Sequence, residues 1–303
     1  MQTKNTPNNN LPLSKSYFKG CTDVPLIEQT IGQYLDNIVD NYPDHPAIVV
    51  HHQHIRLTYK EYQQQINQLA MGLLSLGVKP GDRVGIWSPN NIEWCLTQFA
   101  TAKIGAIMVC INPAYRPSEL EYALNSVECS TLITASQFKS SNYIEMLNEL
   151  APELSHLPAD GLNLKKLPHL KNIIRIGDKK SPGMYSFTDV MERPTDAHKL
   201  ELDAIAATLH CDQDINIQFT SGTTGNPKGA TLSHKNILNN GFLMAEAMKL
   251  THQDKLCIPV PLYHCFGMVL GNLVCISKGA TAVFPGDSVS YTHLRAHETV
   301  LDL

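Results

Sequence analysis

The densest chemistry in this chain lies in residues 217–229, which run Ile217-Gln218-Phe219-Thr220-Ser221-Gly222-Thr223-Thr224-Gly225-Asn226-Pro227-Lys228-Gly229. An apolar lead-in gives way to hydroxyls, glycines and one lysine. Gly222 and Gly225 permit positive φ and a close backbone approach. Consecutive N–H groups in such a turn form a nest that holds an anion. The hydroxyls of Thr220, Ser221, Thr223 and Thr224 add donors, and Lys228 adds a positive charge. This composition suits phosphate, which implies nucleoside triphosphate chemistry. The spacing is not that of a Walker loop, which needs Gly, four residues, then Gly-Lys-Ser/Thr. Here the fifth residue after Gly222 is Pro227, and Gly229 follows Lys228. A Gly-x-Gly-x-x-Gly spacing is absent from the segment as well.

Such a loop needs a strand before it and a helix after it. Residues 215–219 supply the strand, and Ser233 can cap a helix that carries Ile237, Gly241, Met244 and Met248 on one face. Ligands of open α/β sheets bind beyond the carboxyl ends of strands, where this loop falls. Upstream, strands and helices alternate. Thr30 can cap a helix bearing Ile31, Leu35, Ile38, Val39 and Tyr42. Residues 47–50 and 55–57 pattern as a short strand pair. Thr58 and Glu61 form a capping box ahead of Tyr62, Ile66, Leu69, Leu73 and Leu76, and Gly77 supplies the stop. After the turn Lys79-Pro80-Gly81-Asp82, a strand is predicted over 83–87 and a helix over 92–104. A fully apolar strand follows over 106–111. Ser118 and Glu121 pattern as a second capping box, and strands are expected at 131–135 and 172–176. The Leu/Pro-rich residues 152–170 lack a clean period and are expected to form an irregular surface excursion. Near-continuous apolar strands between amphipathic helices predict an α/β fold, with mostly parallel sheets sandwiched by helices.

At 303 residues the chain can bury a large core as one big or two ordinary domains. Its 43% hydrophobic and 17% charged residues are ordinary for a globular protein. A net charge of -4 gives no electrostatic reason to expect nucleic acid or an anionic membrane. The cysteines, at 21, 95, 110, 129, 211, 257, 265 and 275, form no Cys-x-x-Cys pair and no zinc spacing. Reduced, buried thiols in the cytoplasm are the expectation. No apolar run approaches the ~20 residues of a membrane span. The first residues are polar and Asn-rich, without a signal peptide's apolar core. His51, His52 and His54 fall at a hairpin tip, where a solvated role is expected rather than metal binding. His234 follows the Ser233 cap as a first-turn helix residue.

The loop resembles the signature segment of the adenylate-forming superfamily, which includes acyl-CoA synthetases, luciferases and the adenylation domains of peptide synthetases. Three further segments are similar to that family. They are Lys79-Pro80-Gly81-Asp82-Arg83-Val84-Gly85-Ile86, the strand that ends Ile111-Asn112-Pro113-Ala114-Tyr115, and Pro261-Leu262-Tyr263-His264-Cys265-Phe266-Gly267. The resemblance covers about residues 28 to 288. It is strongest to the medium-chain or fatty acyl-CoA synthetase branch. It implies ATP, Mg2+ and coenzyme A as substrates and cofactors, and a small carboxylic acid as partner. It also implies that Thr220 to Gly225 hold the β- and γ-phosphates, that Lys228 neutralises departing pyrophosphate, and that His264 lines the pocket near the carboxylate. A domain for loading an amino acid shares the phosphate loop. A non-catalytic nucleotide-binding module and an unrelated phosphate-loop hydrolase are the other readings.

Three regions are therefore expected: a polar tail over 1–27, a partial large adenylation domain over 28–288, and a tail over 289–303. The family's later Tyr-Gly-x-Thr-Glu loop, its ribose-binding aspartate and its small C-terminal lysine domain are not found after Asp287. Residues 289–303 resemble a translated adapter read-through and are set apart from the fold. The 303 residues are thus expected to lack full turnover by themselves.

Overall fold

A computed structural model of the protein describes residues 24–220 and 227–286. Most of the expected N-terminal tail, the loop residues Ser221 to Gly225 and the stretch 289–303 lie outside the described residues. The chain begins with α1 (Ile31–Asn41), β1 (Pro46–Val50), β2 (Ile55–Thr58), α2 (Tyr59–Ser75), β3 (Arg83–Trp87), α3 (Ile92–Lys103), β4 (Ile107–Ile111), α4 (Pro117–Ser126) and β5 (Thr131–Thr134). Then come the short pair β6 (Gln137–Phe138) and β7 (Ser141–Asn142), α5 (Tyr143–Leu150), β8 (Asn172–Arg175), β9 (Tyr185–Ser186), α6 (Phe187–Glu192) and α7 (Asp196–Ala206). The last part holds β10 (Asp214–Thr220), β11 (Lys228–Ser233), α8 (His234–Met248) and β12 (Lys255–Cys257). A helical run of α9 (Cys265–Gly267), a π-helical segment Met268–Leu273 and α10 (Val274–Ile276) leads to β13 (Thr281–Phe284).

Local chemistry explains most boundaries. Thr30 caps α1 and Thr58 caps α2, each in a reciprocal box with Gln33 or Glu61. Beyond α2, Gly77 takes φ +81°, the left-handed conformation that ends a helix. The expected box at Ser118 and Glu121 sits two residues too late. The N-cap is Arg116, its N–H donates to the Glu119 carboxylate at 2.9 Å, and Pro117 opens the helix. Proline fits that first position because its missing N–H would have no helical acceptor there.

Seven strands form the main sheet in the order β11-β10-β4-β3-β5-β8-β9. All its neighbours are parallel except β11, which runs antiparallel to β10. A second sheet, β12-β13-β1-β2, pairs β1 with β13 in parallel across most of the chain. Side chains alternate between two cores, as a pleated strand requires. Met108, Cys110, Ile133 and Ile174 face one core, and Val109, Ile111, Leu132 and Ile173 face the other. The helix α2 packs on β1, β2 and α3, while α3 packs on β3 and β4, so helices fill the space between the sheets. On the opposite face, α4 and α5 cover the second core with Leu120, Leu124, Tyr143 and Leu147.

Two further expectations need correction. The stretch 152–170 is irregular after a short 3-10 turn, but it is not merely superficial: Leu154, Leu162, Leu164, Leu167 and Leu170 are all buried in the second core. Aperiodic leucines can fill a core when the backbone that carries them bends. On α8, Ile237 and Gly241 are buried as expected, but Met244 is 38% and Met248 46% exposed. The buried face runs through His234, Ile237, Leu238, Gly241 and Ala245 instead.

Candidate functional site at the carboxyl edge of the main sheet

The parallel strands β3, β4 and β10 all end on one edge, and each delivers a turn there. The strand β10 ends at Thr220, where the glycine- and hydroxyl-rich segment 221–226 begins. The chain returns as β11, with Lys228 as the partner of Thr220 across the hairpin. The Thr220 hydroxyl donates to the Lys228 carbonyl at 3.3 Å. Both side chains are exposed. At the base of the return, the Tyr122 hydroxyl of α4 donates to the Pro227 carbonyl at 3.3 Å. The loop Ser221, Gly222, Thr223, Thr224, Gly225 therefore springs from a hairpin rather than leading straight into a helix. The strand β11 went unforeseen because it is short, exposed and glycine-containing. Only its pairing with β10 makes it a strand, and an edge position asks for no apolar alternation. Ser233 does cap α8, accepting from the Asn236 N–H at 3.2 Å.

His264 lies in the turn that leads into α9. It is exposed and acts as the helix N-cap, its Nδ1 accepting from the Phe266 N–H at 3.2 Å. With Nδ1 as acceptor, the neutral ring carries its proton on Nε2. Gly267 is required here: a Cβ would lie 2.4 Å from the Pro261 carbonyl oxygen. Four residues past His264, the Met268 sulfur rests on the inward face of β10 and β4. It sits 3.6 Å from Gln218 Nε2, 3.5 Å from Asn216 Nδ2 and 3.9 Å from Cys110 Sγ. Polarizable thioethers suit such mixed contacts. The motif carrying His264 is thus seated on the strand that presents Thr220. Met268 also opens the π-helical segment, a widened turn often found beside functional sites.

Sequence reasoning missed one residue that organises this edge, and it understated a second that sits at the opposite end of β10. Asn90, buried in the turn after β3, donates from Nδ2 to the Val260 carbonyl at 2.9 Å and accepts the Leu262 N–H on Oδ1 at 2.8 Å. The only local signal was the polar run Ser88-Pro89-Asn90-Asn91 after an apolar strand. His234 is a first-turn residue as expected, yet fully buried, and its Nδ1 accepts the Ile31 N–H at 3.1 Å. Burial holds its pKa at about 4, below the ordinary 6.5, because the charged ring would lose its water. Nearby, the Asn239 amide accepts the Ile27 N–H at 2.7 Å and donates to the Ile27 carbonyl at 3.0 Å. The start of the described chain is therefore fastened to α8.

His51, His52 and His54 are exposed in the hairpin between β1 and β2, the expected solvated position. Among the described residues no three His, Cys, Asp or Glu side chains gather to hold a metal ion. No helix among them is long and apolar enough to cross a membrane.

The family model described as AMP-binding enzyme matches residues 35–300. The medium-chain acyl-CoA ligase ACSF2, mitochondrial, of Danio rerio is 43% identical over 275 residues, covering 90% of this chain and 45% of the relative. The putative acyl-CoA synthetase YngI of Bacillus subtilis is 43% identical over 258 residues, covering 85% of this chain and 47% of the relative. The chain thus spans about half the length of the curated relatives it matches. Among solved structures, the anthranilate CoA ligase AuaEII in complex with anthranoyl-AMP superposes with a TM-score of 0.74 at 24% identity, over 92% of this chain and 48% of that one. The N-terminal domain of FACL13 from Mycobacterium tuberculosis, inhibitor bound, gives 0.71 at 22% identity, over 88% of this chain and 60% of that one. These two likenesses show the fold, and the sequence match goes further: the chain belongs to the AMP-binding enzyme family.

Proposed function

We propose that the whole protein joins a carboxylic acid to coenzyme A in two steps at the expense of ATP. In the first step a carboxylate oxygen attacks the α-phosphorus. The bond from that phosphorus to the bridging oxygen breaks, and pyrophosphate leaves an acyl-adenylate. In the second step the coenzyme A sulfur attacks the acyl carbon, the carbon–oxygen bond to AMP breaks, and the thiol proton passes to solvent. Negative charge gathers on phosphate oxygens in the first step, so fixed N–H donors and a cation stabilise it most. Thr220, Ser221, Gly222, Thr223, Thr224 and Gly225 take the β- and γ-phosphates in this reading. Lys228 lies at the loop's return and neutralises pyrophosphate. His264 lines the acid site. Magnesium is assigned no ligand residue in this reading.

The observation that carries the reading is the hairpin that pairs Thr220 with Lys228 at the carboxyl edge, beside the strand face on which Met268 seats the His264 motif. The apolar run from Phe266 to Val274 favours a fatty acid over an amino acid. Phe266 leaves 55% of its surface exposed beside His264, an apolar cover for such a substrate. The relatives named medium-chain acyl-CoA ligases support the same substrate class. A cytoplasmic location belongs to the same proposal, and cell fractionation decides between it and the mitochondrial location in the relatives' names.

The test is acid-dependent pyrophosphate release by the full-length gene product over a panel of fatty and amino acids. Release with fatty acids and not amino acids is expected, together with ATP binding by the 303-residue chain but no turnover from it. Replacing Lys228 by Ala should weaken ATP binding about tenfold or more, the scale of one charge-assisted contact. Stimulation by amino acids alone, or phosphate release in place of pyrophosphate, would overturn the proposal.

A further inference from the structure

We infer that Asn90 is a positioning residue for the acid-binding segment, an inference that rests on the function proposed above. Pro261 creates the need for it. Proline has no N–H, so the segment 260–262 cannot run on as an ordinary ladder strand. The Val260 carbonyl and the buried Leu262 N–H on either side of it still need partners. Asn90 supplies both from one amide group, at 2.9 Å and 2.8 Å. It does for Pro261 what a neighbouring peptide unit does in a sheet.

The clamp joins residues 170 and 172 positions apart. Its anchor is rigid, because Asn90 follows β3, the strand between β4 and β5 in the main sheet. The next residue, Asn91, caps α3 by accepting the Trp94 N–H at 2.8 Å. The clamped segment has little slack before His264. The His264 N–H donates to the Pro261 carbonyl at 3.3 Å, and Gly267 closes over that same carbonyl. Asn90 thus fixes one end of the turn carrying Tyr263 and His264, and Met268 fixes the other end on β10. Loss of the clamp frees the acid-binding turn while leaving the Thr220–Lys228 hairpin as it was.

The test compares full-length wild type, Asn90→Ala and Asn90→Asp by pyrophosphate release, varying fatty acid and ATP separately. Asn90→Ala should raise KM for the acid about tenfold, the scale of two buried neutral hydrogen bonds, and leave KM for ATP within about twofold. Asn90→Asp keeps the acceptor for the Leu262 N–H but turns a carboxyl oxygen towards the Val260 carbonyl in place of the donor, so a rise in KM for the acid at least as large as alanine's is expected. It also serves should the alanine variant fail to fold. Equal losses for both substrates, or no change in either variant, would overturn the inference alone. A wild-type protein that turns over no acid would overturn the proposed function and this inference with it.

Discussion

Acid should destabilise this protein through one buried imidazole, and the size of the effect follows from the structure. His234 is fully buried at the start of α8, where its Nδ1 accepts the Ile31 N–H that opens α1. Its pKa falls from 6.5 to about 4 in the folded protein, and burial is the cause. The unfolded ring takes up a proton as pH drops through 6.5, while the folded ring stays neutral until about 4. Between those values the unfolded state binds more protons, so stability rises with pH and is lost as pH falls. At about 1.4 kcal/mol per tenfold change in proton affinity, the loss is roughly 2 kcal/mol at about pH 5 and about 3 kcal/mol at about pH 4. Above about pH 7 both states are neutral and the residue adds no pH dependence. The perturbation is His234→Asn, whose Oδ1 can replace Nδ1 as acceptor but does not titrate. Urea unfolding from about pH 7.5 down to pH 5 measures the difference between the two proteins. The variant starts less stable because it leaves a gap where the ring was, so only the pH dependence of the difference is diagnostic. Wild type should lose about 2 kcal/mol more than the variant over that range. Parallel pH profiles would refute the reasoning, because they would mean that the buried ring titrates as it does in the unfolded chain.

Two other outcomes follow from packing. Gly267→Ala should cost about 2–3 kcal/mol in urea unfolding, since the new Cβ meets backbone rather than a movable side chain; a cost below about 0.5 kcal/mol would show that the turn over Pro261 can open freely. Burial pushes the Cys110 and Cys129 thiols up to about 12; it raises Cys257 as well, but that residue is exposed to solvent and to reagent. Iodoacetamide at about pH 8 should therefore label Cys257 in the folded protein and the other two only after unfolding, as peptide mass spectrometry would show.

The features that the sequence alone determined are those written within a turn or a strand. The cap at Thr30 and the box at Thr58 close within four residues, so they could be recognised without any tertiary knowledge. The strand over 83–87 and the apolar strand up to Ile111 announced themselves by hydrophobic runs, because a sheet buried on both faces demands them. The proposed phosphate loop stood out for a similar reason: its glycines, hydroxyls and lysine are contiguous in the sequence. Tertiary structure decided the rest. The strand β11 exists because β10 pairs with it, not because residues 228–233 favour extended backbone. The leucines of 152–170 are core because the chain folds back over the second face of the main sheet. Asn90 is an unremarkable turn residue until Val260 and Leu262 arrive from 170 positions away or more. His234 is an ordinary first-turn residue until α1 places Ile31 against it. Hydrogen bonds between distant segments depend on how whole elements dock, and that depends on the summed burial of two cores, which no local spacing records.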